Sequence, residues 1–189
     1  MKTWIKSLIV VIIILIIIAL PMISSYNNLV NLEQNVNVAE SNIDTQLQRR
    51  SDLIPNLVNI VKGYASQEKD IFTEIANARS KLAGANNITE QANADSELSG
   101  ALSRLLLVVE NYPDLKSNKN FQDLSIQLEG TENRIAIARQ DYNTAVTTYN
   151  TKVKSFPNKI IASLFGFQEI PFYKATEGAQ QVPEVNFTS

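Results

Sequence analysis

No charged residue occurs between Ser7 and Leu32, and inside that stretch Leu8-Ile-Val-Val-Ile-Ile-Ile-Leu-Ile-Ile-Ile-Ala-Leu20 is an unbroken apolar run. A helix crosses a bilayer with roughly 20 mostly apolar residues, and Ser7, Pro21, Met22 and Ile23 extend the run to that length. The run is apolar on every face. Its surroundings must therefore be lipid or the interior of a large core, and the remainder of the chain is too polar to supply such a core. The expectation is a transmembrane anchor over residues 7–25, preceded by a short cytoplasmic amino terminus, residues 1–6.

Three other readings fit less well. A cleaved secretory signal also begins with basic residues, but its cleavage site needs small residues at alternate positions, and Ala19-Leu20-Pro21 does not provide them. A lipoprotein signal needs a cysteine, and the chain has none. A buried core helix normally carries a polar stripe, which this run lacks. Lys2 and Lys6 precede the run, whereas the first basic residue after it is Arg49, with only Glu33 and Glu40 as charges before that. Basic flanks stay on the cytoplasmic side, so the rest of the chain is expected to face outward.

Beyond the anchor roughly 160 residues remain, enough for one domain with a core and too few for two large ones. Setting aside Lys2 and Lys6 leaves 15 of the 17 Lys/Arg against 19 Asp/Glu, a net charge near −4 without blocks. Nucleic acid is an unsuitable partner for such a surface, because phosphates need a basic face. The chain has no cysteine and no histidine. That removes disulfides, thiolate nucleophiles, the commonest general base, the usual zinc ligands and the Glu-x-x-His pair of di-iron bundles.

Helical periodicity dominates the chain beyond the anchor. Leu29, Leu32, Val36, Ala39, Ile43 and Leu47 recur at spacings of 3 and 4, the mark of an amphipathic helix continuing the anchor with at most a bend at Pro21. Arg49-Arg50-Ser51-Asp52 is expected to end it, with two cations at its C-terminus and a cap for the next helix. The second helix is predicted over Ile54, Leu57, Val61, Tyr64, Glu68, Ile71, Ile75, Ala78 and Leu82, with Pro55 in its first turn and Gly84 as its stop. Thr89 is placed as the cap of a third helix burying Leu98, Ala101, Leu102, Leu105, Val109 and Tyr112 and ended by Pro113. Asp114–Lys119 reads as a connection, and Asn120 with Asp123 as the cap of a fourth helix.

That fourth helix is expected to be the longest. It carries Phe121, Leu124, Leu128, Thr131, Ile135, Ala138, Tyr142, Ala145, Tyr149, Val153 and Phe156 in one register, with Gly130 marking close contact with a neighbour. Lys159–Phe165 reads as a short amphipathic helix stopped by Gly166, and Phe167 to Ser189 as an extended tail with Phe167, Ile170, Phe172, Tyr173, Val185 and Phe187. The tail either packs along the bundle or docks on another subunit. No run alternates as a strand would. The class is all-α: an N-terminal transmembrane helix, then an antiparallel up-and-down bundle of four long helices over residues 26–156, then a short helix and extended tail over 157–189.

Candidates for chemistry are few. Glu129 and Glu132, one turn apart, could hold a divalent ion with Glu68 or Glu110, and a solvated charged face explains them equally. Glu68 interrupts an apolar stripe, where a polar residue fixes register by pairing with an arginine such as Arg104, Arg134 or Arg139. Tyr26-Asn27, Tyr142-Asn143 and Tyr149-Asn150 repeat, and the last two, a heptad apart, have the spacing of core tyrosines with tethered hydroxyls. The sequons at Asn87 and Asn186 matter only in a eukaryotic secretory route, for which nothing argues.

Taken together, Tyr26-Asn27-Asn28-Leu29-Val30, the stretch from Ile43 through Arg49-Arg50-Ser51-Asp52-Leu53-Ile54-Pro55-Asn56-Leu57-Val58, Val61-Lys62-Gly63-Tyr64-Ala65, Tyr112-Pro113-Asp114-Leu115-Lys116, Leu128-Glu129-Gly130-Thr131-Glu132-Asn133-Arg134-Ile135 and Ala138-Arg139-Gln140-Asp141-Tyr142-Asn143 closely resemble the LemA family of bacteria. The likeness runs from the anchor through Phe165-Gly166-Phe167. Ala39-Glu40 stands where the family often has Ala-Trp, and Gln67-Glu68 where it often has His-Glu, which argues further against a histidine-dependent role.

The resemblance implies a membrane helix carrying an antiparallel four-helix bundle, with no agreed catalytic activity. It links some relatives to building membrane compartments and others to membrane proteases or envelope stress. The functional expectation is a non-enzymatic, membrane-anchored scaffold or adaptor of the bacterial envelope, without cofactor, metal or catalytic residues. Its expected partners are the lipid bilayer and membrane or envelope proteins, a membrane protease among them, with self-association open. The alternatives are an accessory subunit modulating a membrane protease or envelope-stress system and, more remotely, a carboxylate metal-dependent enzyme.

Overall fold

The computed structural model describes residues 3–174, and among these the only regular elements are helices. In chain order they are α1 (Thr3–Tyr64), α2 (Lys69–Ala83), α3 (Ile88–Val109), α4 (Pro113–Lys116), α5 (Lys119–Lys154) and α6 (Asn158–Phe165). The all-α class and the long apolar leading helix are as expected. So is the stop of α6 at Gly166, which takes the left-handed conformation (φ 81°) that a side chain would strain. Phe167–Lys174 is irregular, and the expected tail contacts of Val185 and Phe187 lie outside the described residues.

The largest difference from expectation is at Arg49–Asp52, where α1 does not end. Ile43, Leu47, Arg50, Ile54, Leu57 and Val61 form one row at alternating spacings of 4 and 3, and every member is buried, Arg50 included. The row is continuous because Arg50 takes an inward position on it instead of capping a C-terminus. Gln48 donates to Asp52 Oδ1 at 2.7 Å within the same helix, so Asp52 does not cap a new one. Pro55 consequently lies in mid-helix, where its ring removes one intrahelical hydrogen bond and costs about 3 kcal/mol. Burial of Ile54, Leu57 and Val58 around it outweighs that cost.

The break falls instead at 65–68, after Gly63, and divides the helix expected over 54–82. Ala65 N–H still reaches the Val61 carbonyl at 2.9 Å, and Glu68 N–H then closes on the Ala65 carbonyl at 3.1 Å. Tyr64, just before the break, is exposed, as is Phe156 beyond α5. Caps also shift by two residues. Asn87, not Thr89, opens α3: its Oδ1 accepts from Glu90 N–H at 2.9 Å while Glu90 Oε2 accepts from Asn86 N–H at 2.9 Å. Asn118, not Asn120, accepts from Phe121 N–H at 3.1 Å at the start of α5. Pro113 opens the single-turn α4, since α3 already ends at Val109. α1, at 62 residues, exceeds the 36 of α5. Gly130 is exposed, and a Cβ there would meet no atom within 4 Å, so the expected close contact does not occur.

The described residues form two compact units, 3–41 with 141–170 and 42–140 with 171–174. In the first, α1 and α5 run antiparallel: Glu40 acts electrostatically on Tyr142 and Glu33 on Tyr149, one number falling as the other rises. Leu29, Val36, Ala39, Tyr142, Val146, Tyr149, Val153, Ile161 and Ala162 are its buried apolar side chains. Along the anchor, by contrast, Val11, Ile12 and Ile13, then Leu15, Ile16 and Ile17, are all about half exposed or more. Consecutive exposed residues on a helix cover every face, so no protein surface packs against this stretch among the described residues.

In the second unit α2 and α3 are antiparallel, tied by Arg104 to Glu74 and Lys81 to Glu97 (2.6 Å). α2 folds back along α1, with Arg79 Nε donating to Ser51 Oγ at 3.4 Å and Lys62 Nζ 5.2 Å from the centre of the Phe72 ring. Ile54, Leu57, Val61, Phe72, Ile75, Leu98, Leu105, Leu115, Phe121 and Leu128 make its apolar core.

Candidate functional site

Asp95 is the centre of the most densely bonded polar group among the described residues. It sits on the apolar row of α3, after Ile88 and Ala92 and before Leu98, Leu102, Leu105 and Val109, and so points where those residues point. Both Asp95 and Arg50 are fully buried, at 0% exposure. Arg50 Nη2 donates to Asp95 Oδ1, and Arg139 Nη2 from α5 donates to Oδ2. The Tyr173 hydroxyl, from the segment after α6, donates to the same Oδ2 at 2.8 Å. Arg50 Nη1 donates to Ser99 Oγ at 3.0 Å and to Glu132 Oε2 at 2.5 Å. The Arg139 guanidinium also lies 5.4 Å from the centre of the Tyr173 ring.

Two guanidinium groups thus meet two carboxylates, and the group is neutral as a whole. That balance allows such charges out of water: an isolated buried ion costs several kcal/mol, which only close pairing and further hydrogen bonds offset. Burial lowers the Arg50 pKa, with Glu132 opposing, yet an arginine remains charged in any protein setting. Burial raises the Tyr173 pKa, against the pull of Arg139 and Arg50. A cavity of about 260 Å³ adjoins the group, lined by Ala92, Ser96, Ser99, Glu132, Arg139 and Tyr173.

Chemically this is a clamp. Asp95 already accepts from three donors, so it is a poor base and a poor metal ligand. What the group does is tie α1, α3, α5 and the Tyr173 segment to one register.

The expected polar residues are distributed otherwise. Glu132 joins the clamp, Glu129 lines a neighbouring groove of about 390 Å³ with Leu102, Leu106 and Leu128, Glu110 pairs with Lys116, and Glu68 lies at the 65–68 break. Among the described residues no three His, Cys, Asp or Glu side chains come together as a metal site, so the four glutamates do not form a shared ion site. Glu68 accepts from the Tyr112 hydroxyl at 3.5 Å and pairs with none of the three arginines expected for it. Arg104 goes to Glu74 and Arg139 to Asp95.

Tyr142 and Tyr149 are fully buried, as their heptad spacing predicts. Burial, with Glu40 adding to it, pushes the Tyr142 hydroxyl up to about 12, and burial with Glu33 raises Tyr149. The asparagine that accompanies Tyr149 has a role its spacing does not reveal. Asn150 Nδ2 donates to the Ile170 carbonyl at 2.8 Å and its Oδ1 accepts from Ile170 N–H at 2.9 Å, so one amide holds the tail to its own chain. Tyr26, the remaining member of the Tyr-Asn set, packs its ring against Phe165 (4.9 Å) and Phe167 (5.6 Å).

Sequence comparison places these features in a wider group. Magnetosome protein MamQ 2 of Paramagnetospirillum magneticum is 27% identical over 179 residues, covering 81% of this chain and 66% of that protein. Magnetosome protein MamQ of Magnetospirillum gryphiswaldense is 25% identical over 178 residues, covering 80% and 65%. Protein LemA of Metamycoplasma hominis is 24% identical over 152 residues, covering 80% and 69%. The chain therefore spans just under two thirds of the length of the MamQ proteins it matches. The LemA family as a whole matches residues 39–187, which take in Arg50, Asp95, Glu132, Arg139 and Tyr173. With its apolar leading helix and helical bundle, this chain belongs to the LemA family.

Proposed function

We propose that the protein is a non-enzymatic scaffold or adaptor held to the bacterial inner membrane by α1, with its amino terminus cytoplasmic and its bundle outside. Its partners are other membrane or envelope proteins, or further copies of itself. The observation that carries this reading is the contrast within α1. Val11–Ile13 and Leu15–Ile17 present apolar atoms on every side, whereas the buried row from Ile43 to Val61 includes a charge satisfied by protein. One helix therefore has two solvents, lipid and a folded bundle. The buried charges are spent on one another, which leaves the bundle's outer surface as the part available to partners. Leu107, Ile126 and Ile137 are exposed there.

Crosslinking in intact membranes followed by identification of the adducts tests the proposal. Discrete adducts through bundle-surface positions are expected. A protein that stays monomeric and without partners at every position would overturn it. The orientation is checked separately by protease digestion of sealed right-side-out vesicles, where the bundle should be cut while the lipid barrier is intact.

A further inference from the structure

The first unit contains a second apolar surface beside the anchor. α6 has its first and last residues in contact with neighbouring positions of α1: Ser25 donates to Asn158 Oδ1, and Phe165 packs on Tyr26. Seven residue steps of helix are about 10 Å long, whereas Ser25 and Tyr26 differ by about 1.5 Å along α1. α6 therefore lies across α1, not along it.

Its two faces differ. Ile161 and Ala162 are buried, whereas Ile160 and Leu164, one turn apart, are 61% and 66% exposed, and Phe156 in the turn before α6 is 83% exposed. α5 ends at Lys154 and the chain turns through 155–157, so α6 is laid over the end of the α1/α5 pair with its buried side toward that pair. The exposed row faces away from that pair. Ser25 and Tyr26 lie two and three residues past Ile23, where the apolar stretch closes, and Trp4 lies 22 residues before Tyr26. That separation is about 33 Å of helix, close to the thickness of a bilayer's hydrocarbon core, and Trp and Tyr are the residues that favour its two edges.

We infer that α6 is an interfacial helix: it lies in the plane of the bilayer surface beside the anchor, with Phe156, Ile160 and Leu164 dipped among the upper acyl chains. The occupant of this surface is the same lipid leaflet from which α1 emerges. Lys159, exposed on the flank of the row, adds attraction to anionic headgroups. The consequence is that the first unit sits directly on the membrane surface. The inference rests on the anchor reading.

The test uses the full chain in vesicles of three parts phosphatidylcholine to one part phosphatidylglycerol, brominated either near the headgroup or deep in the acyl chains. Trp4, the sole tryptophan, is changed to Phe, and single reporters are placed by Ile160→Trp, Leu164→Trp, Ile16→Trp and Thr147→Trp. All four positions are exposed, so the fold should tolerate them, and circular dichroism checks that it does. Expected is strong fluorescence quenching of the Ile160→Trp and Leu164→Trp reporters by shallow bromine, of Ile16→Trp by deep bromine, and none of Thr147→Trp. Quenching at Ile16→Trp with none at the α6 reporters overturns the inference and leaves the anchor standing. No quenching at Ile16→Trp overturns both. Shielding of α6 from water without bromine quenching, as a covering protein copy would give, also overturns it.

Discussion

Asp95 and Arg50 are both sealed from solvent and bonded to each other across the α3–α1 seam, and the second oxygen of Asp95 holds Arg139 and Tyr173 as well. Removing the carboxylate leaves two guanidinium groups without their shared partner. Asp95→Ala should lower unfolding stability by about 3–5 kcal/mol, read from urea denaturation of the detergent-solubilised protein. Joint replacement of Arg50, Asp95 and Arg139 by Met should restore most of it, because the one charge of the group then left, Glu132, is 44% exposed and keeps its water. A loss under about 0.5 kcal/mol for Asp95→Ala would contradict the clamp.

Tyrosine ionisation gives an independent reading of the cores. Tyr142, Tyr149 and Tyr173 all have pKa values raised above 10, Tyr142 to about 12. The folded state then keeps protons that the unfolded chain releases. Their contribution to stability is complete below pH 10 and lost as pH rises toward 12. Titration of phenolate absorbance should show these tyrosines ionising late, with unfolding between pH 10 and 12; a single ionisation step near 10 with no loss of structure would count against their burial.

Gly130 lies exposed in the middle of α5 with open space around it. Gly130→Ala should raise stability by about 1 kcal/mol through helix propensity alone. Destabilisation would mean that a neighbour does pack there.

The paired hydrogen bonds between Asn150 and Ile170 predict slow amide exchange at Ile170. Asn150→Ala should abolish that protection and speed proteolysis between Phe167 and Lys174. Unchanged exchange would show that the tail is held by other contacts.

The periodic part of the fold is legible in the chain, because apolar residues at spacings of 3 and 4 dictate a helical face whatever the partner. The caps and breaks are not, since Asn87 and Thr89, or Asn118 and Asn120, are equally capable of supplying an oxygen to a helix start and tertiary packing selects between them. The clamp is present in the pattern but masked by residue type. Arg50 falls on the row Ile43, Leu47, Ile54, Leu57, Val61, and Asp95 on the row Ile88, Ala92, Leu98. A charge on an apolar row predicts a buried partner on another, and reading Arg49-Arg50 as a helix-end pair of cations conceals it. Tyr173 has no periodic context, so only the folded chain reveals its place.

Under the proposed function α1 exchanges one solvent for another along its length, lipid before Ile23 and protein from Leu29. A nitroxide scan from Leu8 to Leu47 in vesicles, comparing relaxation by oxygen with relaxation by a water-soluble nickel chelate, measures this position by position. High oxygen and low nickel access with no helical period is predicted from Leu8 to Ile23, followed by a 3.5-residue alternation in step with Leu29, Val36, Ile43 and Leu47. A helical period already present between Leu8 and Leu20, or nickel access all round it, would contradict the anchor and everything built on it.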